Sequence, residues 1–202
     1  VGDLGTHSKP HLTDLVRYCL NKSDYFIFPS QWSKEWIGFQ GKNCDIIDNA
    51  PMKIFYNNRN TNLQLGDKIR VVTHHWSTNP KKGFDVYQKF EEWCKDKDIS
   101  FHYIGQLPSG VNFNNYIQPI SAAELSQELP KYDIYLTASE EEAGANHVLE
   151  AMASGLPVVY RKSGGSIDNY CNYYGEKYSE FDDMIEKINK VTKNYSKSKQ
   201  RV

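Results

Sequence analysis

Apolar positions along this chain follow two periods that alternate from one segment to the next. "LTDLVRYCL" (12–20) carries them at helical spacing, and "DYFIFPS" (24–30) is a short aromatic and β-branched run stopped by Pro29. The pattern predicts a helix followed by a buried strand. A second helix is expected over 31–39 and a second strand over 44–51, whereas "KIFYNNRNTNLQLGD" (53–67) is asparagine-rich and aperiodic and reads as a linker. Beyond it the alternation becomes regular. Strands are predicted over 68–74, 100–106, 132–138 and 156–161, with helices over 83–96, 121–129, 146–154 and 180–194. In the helix 83–96, Phe84, Tyr87, Phe90 and Cys94 recur at spacings of three and four and define its core face. The last ten residues, "KNYSKSKQRV", are polar and basic and read as a frayed end.

Strands alternating with helices imply βαβ units and hence an α/β fold, a Rossmann-like parallel sheet with helices on both faces. In such sheets ligands bind beyond the carboxyl ends of the strands. That rule selects the loops 75–82, 139–146 and 162–167 as the place to look for chemistry.

Composition narrows the function classes. A chain of 202 residues with 39% hydrophobic residues suits one large or two small globular domains. Its formal net charge of -1 provides no global field for nucleic acid or an anionic membrane, so no nucleic-acid partner is expected. Cys19, Cys44, Cys94 and Cys171 are widely spaced and form no CxxC pair. They read as reduced thiols and place the protein in a cytoplasmic type of compartment. No apolar run approaches the length of about 18 residues that a membrane span needs. The first residue is not methionine and a helical pattern begins almost at once, so a natural start upstream is expected.

The candidate chemistry centres on "SEEEAGANHVLEAMASGLPVVY" (139–160). A helix over 146–154 ends at Gly155, with Pro157 beyond, and Val148, Leu149 and Met152 form its apolar face. Glu150 lies off that face, beside Asn146, His147, Ala153 and Ser154, and can look into the crevice. Gly144 and Ala145 leave the helix start open to an anion. Local physics leaves Glu142 as either a helix cap or a functional carboxylate. The loop "HHWSTNPKKGFD" (74–85) brings Ser77, Thr78, Lys81 and Lys82 to the same edge, and a lysine there can meet a phosphate. His74 and His75 are adjacent and point to opposite faces of a strand, so no joint metal site is expected. "KSGGS" (162–166) adds a glycine turn, and together these features point to a nucleotide or sugar phosphate.

"EAGANHVLEAMASGLPVVYRKSGGSID" resembles the E-x7-E region of retaining glycosyltransferases of family 4 with the GT-B fold, with Glu142 and Glu150 as its two acids. "VVTHHWSTNPKKGFDVY" looks like that family's first strand and phosphate-binding lysine loop, and "YDIYLTAS" is similar to its strand before the acidic loop. "DYFIFPSQWSKEW" is similar to the last strand of its acceptor-side domain, and "DIIDNAP" to the start of the interdomain linker. The likeness runs over residues 24–190. It implies that 1–50 is the end of an N-terminal acceptor-side domain with the start of the linker, and that 51–202 is a C-terminal nucleotide-sugar-binding domain.

The resemblance also implies an activity: transfer of a sugar, of hexosyl type, from a nucleotide diphosphate donor with retained configuration. No metal and no cofactor beyond the donor are implied. Glu142 would hold donor-sugar hydroxyls and Lys82 the departing diphosphate, as the catalytic pair. Glu150 would hold ribose hydroxyls, with Gly144, Ala145, Asn146 and His147 supplying backbone donors and His75, Trp76 and Ser77 lining the diphosphate. The family's arginine six residues before the lysine is replaced here by Trp76, and His75, Ser77 or Lys81 would compensate. The acceptor would be a carbohydrate, or lipid-linked or protein-linked, with peripheral membrane contact left to the absent domain. Because most of the acceptor-side domain is missing, the chain is expected to bind donor better than it turns it over. A non-catalytic nucleotide-sugar-binding module and a sugar-nucleotide epimerase of the same fold are the alternatives.

Overall fold

The computed structural model describes residues 10–202; His7 and the rest of the opening segment lie outside the described residues. Helix α1 (Pro10–Leu20) leads into β1 (Phe26–Phe28), α2 (Gln31–Trp36) and β2 (Cys44–Ile46). The two strands pair in parallel, and Ser30 caps α2 by accepting the Ser33 N–H at 3.0 Å. A short helix α3 (Lys53–Asn57) follows. It falls in the stretch expected to be an aperiodic linker, and fully buried Phe55 explains why it folds. One anchoring aromatic against the larger domain overrides a weak local pattern.

The larger domain runs through β3 (Ile69–His75), α4 (Phe84–Cys94), β4 (Ile99–Gly105), β5 (Tyr116–Ile117) and α5 (Ala122–Glu128). It continues with β6 (Ile134–Thr137), α6 (Asn146–Ala153), β7 (Val158–Arg161), α7 (Ile167–Cys171), β8 (Glu176–Tyr178), α8 (Phe181–Lys193) and α9 (Tyr195–Gln200). All its strands are parallel, in the order β5-β4-β3-β6-β7-β8. A Rossmann-like sheet with helices on both faces is therefore what the chain forms.

Alternation along the strands sorts the core into two layers. Val71 joins Phe84, Tyr87, Phe90 and Cys94 of α4 and Met184, Ile188 and Val191 of α8 on one face. Val72 joins Phe55, Leu125, Val148, Ala151, Ile167 and Cys171 on the other. The four-residue face expected for α4 is buried in full. On α6 the buried residues are His147, Val148 and Ala151, and Leu149 is only partly covered, because it lies about 100° around the helix from Val148.

Two expectations fail at the chain's end. α7 and β8 form in a stretch where no element was expected, and the tail folds as α9, with Tyr195, Ser198 and Lys199 buried. Asn194 N–H and side chain both hydrogen-bond the Lys190 carbonyl, which ends α8 and turns the chain into α9. Among the described residues no helix is long and apolar enough to cross a membrane.

Candidate active site

Strands β3, β6 and β7 end at the same edge, and their following loops are bonded into one surface. After β3 the chain enters a 3-10 turn, Pro80–Lys82, which the Asn79 side chain opens by accepting the Lys81 N–H at 3.0 Å. Gly83 closes it at φ +80, and a Cβ there would stand 2.5 Å from the Ala138 Cβ. Only glycine lets the lysine loop press so closely on the end of β6. The Glu140 N–H then donates to the Lys81 carbonyl at 2.8 Å.

On its other side the acidic loop is stitched to the loop after β7. Glu141 N–H donates to the Ser163 carbonyl at 2.9 Å, Glu142 N–H to the Gly164 carbonyl at 3.2 Å, and Ser166 N–H to the Glu142 carbonyl at 2.8 Å. Gly165 is again left-handed, at φ +70, with the Glu142 carbonyl oxygen 2.6 Å from where its Cβ would be. The small β1–β2 unit reaches the same loop, where the Ser30 hydroxyl donates to the Ala143 carbonyl at 2.6 Å.

Each of the three consecutive acids meets a cation, two from the lysine loop and one from the end of β7. Glu140 pairs with Arg161 at 2.7 Å, Glu141 with Lys81, and Glu142 with Lys82 at 2.5 Å. Only the last pair is well enclosed, with the Glu142 side chain 14% exposed and Lys82 16%. Burial pushes the Glu142 carboxyl up, but His147 and Lys82 outweigh it and hold the group well below the ordinary carboxylate range. Glu142 therefore stays ionised. It is not a helix cap: Ala145 occupies the N-cap of α6, with no side-chain capping bond.

Glu150 also has a partner. Its Oε2 lies 2.9 Å from Nε2 of fully buried His74. Sequence reasoning did not assign His74, although the strand alternation that separates it from His75 carried the signal. His74 shares the face of Tyr135 and α6, whereas His75 faces α4, its Nε2 2.9 Å from the Tyr87 hydroxyl. Burial, followed by His147 and Lys82, lowers the His75 imidazole well below its ordinary value. His75 is a buried support rather than an exposed lining residue.

Of the other expected residues, Trp76 is 43% exposed, and the Ser77 hydroxyl accepts the Asn79 N–H at 3.2 Å. Gly144 lies against Asn49, and Ala145 is fully buried. The Asn146 N–H, expected to face an anion, instead donates to the Gly144 carbonyl at 3.0 Å, because the chain turns tightly into α6. The His147 side chain is enclosed, with Nδ1 2.9 Å from the Tyr135 hydroxyl and Nε2 3.4 Å from Glu142 Oε1. A cavity of about 300 Å³ flanks the lysine loop, lined by Pro80, Lys81, Gly83, Asp85, Glu140 and Arg161. Among the described residues no group of three or more His, Cys, Asp or Glu side chains is arranged to hold a metal ion.

The comparisons with known proteins bear on the same loops. The family model described as "Glycosyl transferases group 1" matches residues 77–194, over half of the chain. A 91-residue stretch is 31% identical to the GtfA subunit of the UDP-N-acetylglucosamine–peptide N-acetylglucosaminyltransferase of Streptococcus pneumoniae serotype 4. That stretch takes in 45% of this chain and 16% of the pneumococcal protein. Among solved structures, Anabaena HepE with UDP and glucose superposes with a TM-score of 0.68 at 18% identity. The match covers 89% of this chain and 56% of HepE. A mutant of Staphylococcus aureus TarM, solved with fondaparinux, alpha-GlcNAc-glycerol and UDP, gives a TM-score of 0.67 at 21% identity, over 90% of this chain and 41% of TarM. The two solved structures share the fold, that of the GT-B glycosyltransferases, and the family model spans the lysine loop, the acidic loop and the glycine turn: this chain belongs to the group 1 glycosyltransferases.

Proposed function

We propose that the chain is the donor-binding part of a retaining glycosyltransferase of family 4, which takes a hexosyl group from a nucleotide diphosphate sugar without a metal. The observation that carries the reading is the enclosed Lys82–Glu142 pair before the start of α6, with Glu150 of that helix bonded to His74, at the carboxyl edge of a parallel sheet. Lys82 takes the β-phosphate as charge develops on it, the kind of electrostatic stabilisation that preorganised cations supply best. Glu142 accepts hydrogen bonds from sugar hydroxyls. His74 orients Glu150, whose second oxygen accepts from the ribose. In the reaction the bond from the anomeric carbon to the diphosphate oxygen breaks and one to the acceptor oxygen forms on the same face. The acceptor's proton leaves with the diphosphate.

The division near residue 50 belongs to this proposal: β1 and β2 are the end of an acceptor-side domain, and the rest is the donor domain. The pneumococcal relative is named for a UDP sugar and HepE was solved with UDP, so UDP is the first nucleotide to test. Calorimetry of the chain without metal against UDP, GDP, ADP and their sugar conjugates is the experiment. One nucleotide should bind saturably, and Glu150→Ala should weaken it about 10-fold or more, the loss of a hydrogen bond to a charged group. The variant should still fold, with a melting temperature lower by about 3–8 °C because the buried His74 imidazole loses its partner. No binding by the folded wild-type chain would overturn the reading.

A further inference from the structure

His147 carries an imidazole nitrogen that the fold leaves unused. The side chain is buried, packed against His75 at 4.8 Å and His74 at 6.1 Å between ring centroids, and Nε2 has no hydrogen-bond partner. Its other nitrogen sits 2.9 Å from the Tyr135 hydroxyl, shorter than that hydroxyl's contacts to the His74 N–H and carbonyl, both 3.3 Å. Tyr135 has one hydroxyl proton for two acceptors, Nδ1 at 2.9 Å and the His74 carbonyl at 3.3 Å; given to the nearer one, with the His74 N–H donating to the hydroxyl, it leaves Nδ1 an acceptor. The proton of the neutral imidazole is then on Nε2, which is also the tautomer that the ionised Glu142, 3.4 Å away, favours.

We propose that His147 Nε2–H is a hydrogen-bond donor to the diphosphate leaving group, acting beside Lys82. The proposal rests on the donor-site reading above. Lys82 Nζ and His147 Nε2 already converge on one carboxylate oxygen, Glu142 Oε1, at 2.5 and 3.4 Å. Two donors aimed at one anionic oxygen form a cradle that a phosphate oxygen can occupy when the lysine changes partner. Nε2 makes no well-formed hydrogen bond in the protein, its contact with Glu142 Oε1 being long at 3.4 Å, which is the expected state of a group whose better partner arrives with the ligand. Burial pushes the imidazole down from its ordinary value against the opposing pull of Glu142, so it donates as a neutral group near pH 7. The charged and titratable groups around it are His74 and His75 of β3, Lys82, Tyr135 of β6, and Glu142 and Glu150.

Two measurements on the full chain test this. Long-range proton–nitrogen NMR correlation, with His147 assigned from His147→Gln, should show Nε2 protonated and Nδ1 bare in the absence of any nucleotide. The opposite tautomer would overturn the proposal whatever the protein binds. Calorimetry should show His147→Leu, which keeps the side chain's bulk, weakening UDP by about 10- to 100-fold while changing UMP by less than about 3-fold. His147→Gln, which keeps an N–H near the same point, should recover most of the loss. Equal losses for UDP and UMP, or unchanged UDP binding, would remove His147 from the phosphate site and leave the donor-site reading standing. Failure of the wild-type chain to bind any of UDP, GDP or ADP would overturn both.

Discussion

Replacing Lys82 with methionine keeps the length and apolar stem of the side chain but leaves Glu142 as an enclosed carboxylate without its cation. Both partners are mostly buried, at 16% and 14% side-chain exposure. Breaking a fully buried pair costs about 3–5 kcal/mol, and the residual exposure brings the expected loss to about 2–3 kcal/mol. For a chain of this size that is about 5–10 °C in melting temperature. Urea unfolding of Lys82→Met, Glu142→Gln and the double variant completes a cycle in which the double variant should be more stable than Lys82→Met alone. The pH dependence follows from the direction of the shift. In the wild type the folded Glu142 carboxyl is depressed, so its contribution is present above the unfolded value of about 4.3 and is lost as pH falls through the folded one. In Lys82→Met the lysine's share of that depression is gone and only His147 still opposes burial, so the variant has less carboxylate stability at neutral pH to lose on acidification. The gap between the two proteins should therefore begin to narrow below about pH 4 and shrink further toward the wild-type folded value. Additivity across the cycle within about 0.5 kcal/mol, or a gap unchanged by acid, would refute the argument.

Gly165→Ala should be disruptive out of proportion to one methyl group, because the position is left-handed and the new Cβ would meet the Glu142 carbonyl oxygen at 2.6 Å and its nitrogen at 2.7 Å. A loss of about 2 kcal/mol or more is expected by denaturant unfolding, with nucleotide binding weakened, and a variant as stable as the wild type would disprove the stitched-loop geometry. Lys199 is buried in α9 with its amine lowered to about 8, chiefly by burial. Because its folded value lies below the unfolded one, stability should rise as pH increases from about 8 to about 10. Lys199→Met should flatten that rise and be more stable than the wild type at pH 7; a steeper rise in the variant would contradict the assignment.

The legible parts of the fold were those whose signal is local and periodic. Phe84, Tyr87, Phe90 and Cys94 announce a buried helix face at four positions, and the strand–helix alternation announces a parallel sheet. α3 and α9 were not legible because their apolar content is sparse and each is held by tertiary burial, of Phe55 in one and of Tyr195 with the Lys199 stem in the other. β8, "EKY", is a charged edge strand whose pairing with β7 supplies what its sequence does not. At the site the spacing of Glu142 and Glu150 and the lysine loop could be read directly. The roles of His74 and Tyr135 could not, since each depends on a partner 61 or more positions away in the chain.

The three consecutive acids show how sequence alone conflates two jobs that the fold separates. Glu140 and Glu141 are paired yet about one-third exposed, with side chains at 31% and 35%. Such pairs are screened and each contributes at most about 1 kcal/mol, so their effect is to hold the lysine loop and the end of β7 against the acidic loop. Glu142, one residue on, turns inward to 14% exposure, where the same charge in the same kind of pair is held by Lys82 and His147 and cannot be discarded cheaply. The backbone makes the change: Glu141 adopts a left-handed φ of 54, rare for a residue with a Cβ, and the loop reverses there before pairing with Gly165. Strain at Glu141 is thus offset by bonds on both sides of the loop. Its consequence is a single ionised carboxylate set between a lysine and an imidazole at the mouth of the sheet.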